Sequence, residues 1–211
     1  MKKGVLFDMD GVLVNTNGIH YEAWKEICRK YGIPFDGEIF VKQLLGRSRP
    51  DQLEYLISSA GMSFSAEEKN KIMNEKNELA VRSLSHISAA DVDPDIFFTL
   101  EKLKEKGIKM AVASSSANSP MIIRNTGIIA YLDYMVDATM VKRAKLAGDI
   151  YVNAAAGLGL KPEECLVIED AISGVNAAIA AGIESCGLSD AYYYEGTTYP
   201  IRKVSDLLRH V

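Results

Sequence analysis

The sequence has little cysteine, little proline and no long apolar run, and each shortage excludes something. Its three cysteines, Cys28, Cys165 and Cys186, are odd in number and far apart, with no Cys-x-x-Cys. His20, His86 and His210 make no zinc spacing with them. A disulfide scaffold is therefore excluded, and reduced core thiols in a cytoplasmic protein are expected. After Lys2 and Lys3 only Gly4-Val5-Leu6-Phe7 is apolar before Asp8 intervenes, too short for a signal-peptide core. No run approaches the ~18 apolar residues of a membrane span. An excess of one charge is also missing: 24 Lys and Arg against 28 Asp and Glu leave −4, with a pI near 5.5. That argues against a nucleic-acid or acidic-membrane surface while leaving room for a local basic pocket.

What is present is an ordinary globular composition, 48% apolar over 211 residues. Such a length is expected to make one domain, or one with a sizeable insertion. Short apolar runs bounded by polar residues recur at Gly4–Phe7, Lys109–Ala113, Tyr134–Val136, Cys165–Ile168 and Glu184–Leu188. Helix-like stretches lie between the later ones, at Pro94–Lys106, Asp149–Leu160 and Ser173–Ala181. Buried strands alternating with helices predict a parallel sheet covered on both faces. The stretch Asn15–Arg82 does not alternate. It carries only helical periodicity, and Ser65-Ala66-Glu67-Glu68 opens one of its helices as a capping box. The class is thus α/β with a helical insertion after the first strand.

In open α/β sheets, ligands bind beyond the carboxyl ends of the strands, so the residues there matter most. The first strand runs into Asp8-Met9-Asp10-Gly11. Period-two geometry starts both acids on one side, and two close carboxylates favour a cation or a shared proton between them; a plain Asp-Gly turn is the alternative. The second strand ends in Ser114-Ser115-Ser116-Ala117-Asn118, which suits either a phosphate site or ordinary helix capping. The third is followed by Lys142, Arg143 and Lys145 before Asp149, the fourth by Glu169-Asp170. That last pair suits a magnesium ligand pair, with a helix N-cap as the alternative for Asp170. Acid pair, hydroxyl, lysine and acid pair in order at successive strand ends is a combination that capping does not predict. It suits phosphoryl transfer with a carboxylate nucleophile.

Asp8-Met9-Asp10-Gly11-Val12, Ser114, Lys145 and Glu169-Asp170 resemble the four motifs of the haloacid dehalogenase-like hydrolase superfamily, over nearly the whole chain. Within it, Thr16-x-x-x-His20-x-x-Ala23-Trp24, Gly46-x-Ser48-Arg49 and the Lys76 helix resemble the β-phosphoglucomutases. The resemblance implies a Rossmann-like parallel sheet core, residues 1–14 and 85–211, with a helical cap, residues 15–84, inserted after the first strand. It implies Asp8 as the nucleophile, Asp10 as the general acid and base, and Mg²⁺ held by Asp8, the Asp10 carbonyl, Glu169 and Asp170. Ser114, Ser115 and Lys145 would bind the transferring phosphoryl group. His20, Trp24, Gly46, Arg47, Ser48, Arg49, Lys76, Ser116 and Asn118 would meet the phosphosugar. The expected partner is that small molecule alone, with no nucleic acid and no membrane, and the expected state is a monomer.

Helical arithmetic gives the insertion residues a simpler reading too. His20, Trp24 and Ile27 fall on one face of a helix, and Lys76 interrupts an apolar stripe, as a core-satisfied histidine and a snorkelling lysine do. The chain also departs from the family. The usual Lys-Pro-x-Pro-Asp is Lys145-Leu146-Ala147-Gly148-Asp149, which frees the loop and leaves Lys142 as an alternative source of charge. The basic residue usual between Ser116 and Asn118 is Ala117, and the usually small apolar position 47 is Arg47. Three functions are weighed: interconversion of β-D-glucose 1-phosphate and D-glucose 6-phosphate, a sugar-phosphate phosphatase, and a non-catalytic phosphosugar-binding protein. Arg47 has two readings: a solvent-exposed arginine, or a replacement from across the cleft for the charge missing at Ala117.

Overall fold

The computed structural model of the chain describes residues 2–141, 143 and 145–211. Strands form where three to five mostly apolar residues sit between turn residues: β1 (Gly4–Phe7), β2 (Lys109–Ala113), β3 (Tyr134–Val136), β4 (Cys165–Glu169) and β5 (Glu184–Gly187). A two-residue β6 (Tyr199–Pro200) adds an edge that the sequence pattern did not predict. It is too short for periodicity, and its proline is tolerated only at such an edge. The order is β3-β2-β1-β4-β5-β6, parallel throughout. The chain winds outward from β1 to β3, then returns to lay β4 against the other side of β1. The carboxyl ends of β1 and β4 are therefore the switch point of a doubly wound sheet, where a crevice forms.

Side chains alternate across the sheet. Val5, Phe7, Met110, Val112, Leu166 and Ile168 pack on one face with Ile96, Leu100 and Leu103 of α5 (Pro94–Glu105) and Ile122 and Ile123 of α6 (Ser119–Asn125). Leu6, Ala111, Ala113, Cys165 and Val167 pack on the other with Ile150, Tyr151 and Ala154 of α7 (Asp149–Gly157) and Ala177 and Ala178 of α8 (Ile172–Ala180). All three cysteines are free and buried. Among the described residues no helix is long and apolar enough to cross a membrane.

Between β1 and α5 the longer elements are all helices: α1 (Asn17–Tyr31), α2 (Gly37–Ile39) running into a wide turn Phe40–Leu44, α3 (Arg49–Ser59) and α4 (Ala66–Leu84). The Ser65–Glu68 capping box opens α4, each partner bonding the other's backbone N–H. These helices have an apolar core of their own, built on Trp24, Ile27, Phe40, Leu44, Leu53, Ile57 and Ile72. Their inner ends, through Ala23, Ala80 and Leu84, join the main core.

Candidate functional site

The site begins at the switch point. Phe7 pairs with Ile168, so the next residues, Asp8 and Glu169, leave adjacent strands side by side. Both continue the sheet face that carries Leu6 and Val167, the face covered by α7. Lys145, in the loop that opens α7, lies over the same face. Its ammonium pairs with Asp8 and, at 2.5 Å, with Glu169. Tyr151, one turn into α7, donates its hydroxyl to the same Glu169 oxygen at 2.5 Å. Asp170 joins from the turn after β4, accepting from the Asn17 side chain at 3.1 Å. It does not cap α8, whose N-cap position is Ala171 without a side-chain bond.

Ligand oxygens of Asp8, Glu169 and Asp170 lie within 4.8 Å of one another, and all three residues are buried. Three carboxylates against one ammonium leave two negative charges without a counter-charge. Such a set of hard oxygen donors fits a divalent cation of the magnesium type. Burial pushes the Asp170 carboxyl up to about 7, helped by the charge of Glu169. Burial raises Asp8 as well, and the neighbouring carboxylates add to it, beyond what Lys145 offsets. Burial would lower Lys145, but Asp8 and Glu169 hold its proton more firmly than usual. Gly11 makes this crowding possible. Its φ of +86° turns the chain, and a Cβ there would collide with the Asp170 carboxylate.

Asp10 lines the same cavity as Asp8 but has partners of its own. Its side chain turns from Asp8's neighbours to the Thr16 hydroxyl, which donates to Oδ1, and the Ser114 hydroxyl, 3.4 Å from Oδ2. His20 Nε2 lies 3.6 Å from Oδ1. Thr16 holds the N-cap position of α1 yet caps nothing, because its hydroxyl is directed to Asp10. Burial favours the protonated form of Asp10, but the bonds from His20 and Thr16 outweigh it and hold the carboxyl below its ordinary range.

The insertion supplies the facing wall. Lys76 does not snorkel: it is 3% exposed, and its ammonium lies 2.9 Å from His20 Nδ1. With lysine donating there, the histidine proton belongs on Nε2, toward Asp10. Burial first, then the Arg49 charge, lowers the Lys76 ammonium to about 7. Arg49 donates to Asn77 Oδ1 at 2.6 Å, and Asn118 donates to the same oxygen at 2.9 Å. Asn77 was not singled out in the sequence. Its place next to Lys76 is the one signal that could have found it, but only a neighbour from the core gives it meaning.

A cavity of about 50 Å³ lies between the walls, lined by Asp8, Asp10, His20, Gly46, Arg47, Arg49, Lys76, Ser115 and Ser116. Asn17, Leu45 and Gln52 line it as well, without having been expected. It has room for a few waters, and a wider cavity of about 330 Å³ shares Asn17, Leu45 and Arg47 with it and reaches Asp170. The serines brace their own turn instead of capping α6: Ser114 Oγ accepts from the Ser116 N–H at 3.1 Å, and Ser116 Oγ from the Asn118 N–H at 3.2 Å.

Three residues expected at the sugar do not line this cavity, and neither do Ser114 and Lys145, expected at the transferring phosphoryl group. Trp24 is fully buried in the core of the insertion and donates its indole N–H to Gln52 at 2.6 Å. An indole on the same helix face as Ile27 is drawn inward with it, so it supports Gln52 and Lys76 from behind; Lys76 Nζ lies 5.5 Å from its ring centre. Ser48 caps α3, its oxygen accepting from the Asp51 N–H. Asn118 is turned to Asn77. Lys142, the alternative to Lys145, lies outside the described residues.

A model of the haloacid dehalogenase-like hydrolase family matches residues 2–182. A β-phosphoglucomutase of Bacillus subtilis is 36% identical over 207 residues, covering 97% of this chain and 91% of that protein. A phosphorylated carbohydrates phosphatase of Thermotoga maritima is 31% identical, covering 86% and 82%. Among solved structures, a β-phosphoglucomutase from Clostridium difficile superposes with a TM-score of 0.92 at 31% identity, covering 98% of this chain and 93% of that one.

Proposed function

The chain belongs to the haloacid dehalogenase-like hydrolase family, and from that premise we propose that it moves phosphoryl groups on sugar phosphates through an aspartyl phosphate on Asp8. The reaction we assign is the interconversion of β-D-glucose 1-phosphate and D-glucose 6-phosphate. The observation that carries this reading is the separation of Asp8 from Asp10. Two acids two residues apart have different partners: one lies among Lys145, Glu169 and Asp170, the other among Thr16, His20 and Ser114. Different surroundings suit different chemical roles.

The steps follow from those surroundings. In the phosphorylated enzyme, Asp10 is held ionised and takes the proton of the acceptor hydroxyl as that oxygen attacks the phosphorus on Asp8. The P–O bond to Asp8 breaks, leaving a sugar bisphosphate and a protonated Asp10. After the sugar reverses its ends, an Asp8 oxygen attacks the other phosphoryl group, and Asp10 returns its proton to the leaving sugar oxygen. Lys145 and the Ser115 hydroxyl bind phosphoryl oxygens during both transfers. Asp8, Glu169, Asp170 and the Asp10 carbonyl would hold Mg²⁺, which when bound would supply positive charge against the negative charge of the transferring group. Residues 15–84 act as a cap over the core of residues 1–14 and 85–211; it opens to admit substrate and closes to keep water from the acyl phosphate.

The B. subtilis relative supports the mutase reading across 97% of the chain. The T. maritima phosphatase supports a second reading, in which water accepts the phosphoryl group from Asp8. One assay separates them: glucose 6-phosphate and free phosphate are measured in parallel from β-glucose 1-phosphate with Mg²⁺ and a trace of the bisphosphate. Glucose 6-phosphate without matching free phosphate is the mutase result. Stoichiometric phosphate release is the phosphatase result. Failure of Asp8 to capture phosphoryl from acetyl phosphate would refute both.

A further inference from the structure

Three cations of the insertion line the cavity: Lys76 has His20 as partner and Arg49 has Asn77, whereas Arg47 has neither an acid nor, at its buried Nε, any partner among the described residues. The acids closest along the chain are engaged elsewhere: Asp51 takes the Ser48 hydroxyl at 2.5 Å, and Glu54 pairs with Lys69 at 2.6 Å. A buried guanidinium N–H without an acceptor is costly, so its retention points to an acceptor that arrives with a ligand.

The backbone delivers Arg47 to the seam between the walls. Gly46, at φ +76°, presses against the turn after β4, where a Cβ would lie 2.8 Å from Ser173 Oγ and 3.1 Å from Ala171 Cβ. That contact brings Arg47 to line the same cavity as Arg49 and Ser115, and the Ser115 hydroxyl is likewise buried without a partner. The guanidinium carbon lies 5.8 Å from the Tyr55 ring centre, a stack that orients the planar fork while leaving its edges free. We propose that Arg47 binds the second phosphoryl group of the substrate, the one not reacting at Asp8, and so selects phosphosugars that are anionic at both ends of the bisphosphate stage. This rests on the phosphosugar reading and names the residue that sets its specificity.

The test compares ligands with one and two phosphoryl groups. For Arg47→Ala, KM for β-glucose 1-phosphate and the dissociation constant of glucose 1,6-bisphosphate, measured without magnesium so that no transfer runs, are both expected to rise about tenfold, as loss of a charged hydrogen bond implies. Capture of phosphoryl from acetyl phosphate, which has no second anionic group, is expected to slow far less than the bisphosphate affinity falls. Arg47→Lys falls between, keeping charge and losing the fork. Adding Ala117→Lys to Arg47→Ala supplies a cation from the core side and restores much of the affinity. Unchanged KM and bisphosphate affinity in Arg47→Ala overturn the proposal, as does an equal loss with acetyl phosphate, which would make Arg47 a support of the loop. A wild-type protein that binds the bisphosphate no more tightly than glucose 6-phosphate also overturns it. Acetyl phosphate capture by that same protein would still uphold the chemistry at Asp8, so the two failures are told apart.

Discussion

The two walls of the site are built in opposite ways. The core wall is acidic, and its members follow directly from the ends of adjacent strands: Asp8 after β1, and Glu169 and Asp170 at and just after the end of β4. The insertion wall is basic, and His20, Arg47, Arg49 and Lys76 reach it from three helices and a loop whose mutual packing decides where they point. The difference teaches that the reactive groups depend on backbone register, whereas the recognising groups depend on side-chain packing. Changes on the core wall should therefore act on rate, and changes on the insertion wall on affinity and stability.

The largest expected effect tests the core wall. Asp8→Asn should abolish phosphoryl capture from acetyl phosphate, because an amide oxygen is a poor nucleophile and a poorer cation ligand; mass spectrometry of the intact protein checks it. Asp10→Asn should leave cation affinity near wild type and slow turnover by about 10²–10⁴, the range for a general acid and base. Its carbonyl survives the substitution, so parallel loss of cation affinity and rate would make the Asp10 side chain a cation ligand and break the distinction between the two acids.

The core wall was legible in the sequence for the reason that makes it reactive. A run such as Cys165-Leu-Val-Ile ends at a fixed register, and whatever follows stands at the crevice, so Glu169 and Asp170 could be read from four apolar residues. The insertion wall was legible only as helical periodicity. Trp24 and His20 share one helix face four residues apart, yet one turns into the apolar core and the other into the cavity. No local spacing separates them, because the partner that draws Trp24 inward, Gln52, comes from another helix. Asn77 was missed for the same reason: its two bonds reach Arg49 and Asn118, 28 and 41 residues away.

A smaller effect concerns the support of the core wall. The Tyr151 hydroxyl and the Lys145 ammonium share one Glu169 oxygen. Tyr151→Phe removes a donor without opening a cavity, leaving Glu169 less firmly oriented. Groups that orient cation ligands are worth about tenfold or more in affinity. Calorimetric titration of Mg²⁺ should therefore show about tenfold weaker binding, with the fold unchanged by circular dichroism. Unaltered affinity would mean that Lys145 and the backbone N–H groups of Asp170 and Ala171 hold Glu169 without the tyrosine.

The smallest effect belongs to the insertion wall and is read in stability. Lys76 is held near 7 in the folded protein and returns to 10.5 when exposed, burial being the main cause. Between those values the unfolded chain binds more protons than the folded one, so this residue makes stability rise with pH from about 7 to 10.5. Below about 7 the folded protein must bury a charged ammonium beside Arg49. Lys76→Met keeps most of the side-chain volume and removes the titration, at the cost of the bond to His20. The Tm of the variant minus that of wild type should therefore be more positive at pH 6 than at pH 10. A gap between about 7 and 10.5 is worth about 4 kcal/mol by pH 10. At about 2–4 °C per kcal/mol for a chain of this size, a difference of up to about 10 °C is expected from scanning calorimetry across the pH series. If the two proteins instead keep a constant gap in Tm, Lys76 retains its proton throughout, and the basic wall is as firmly charged as the acidic wall it faces.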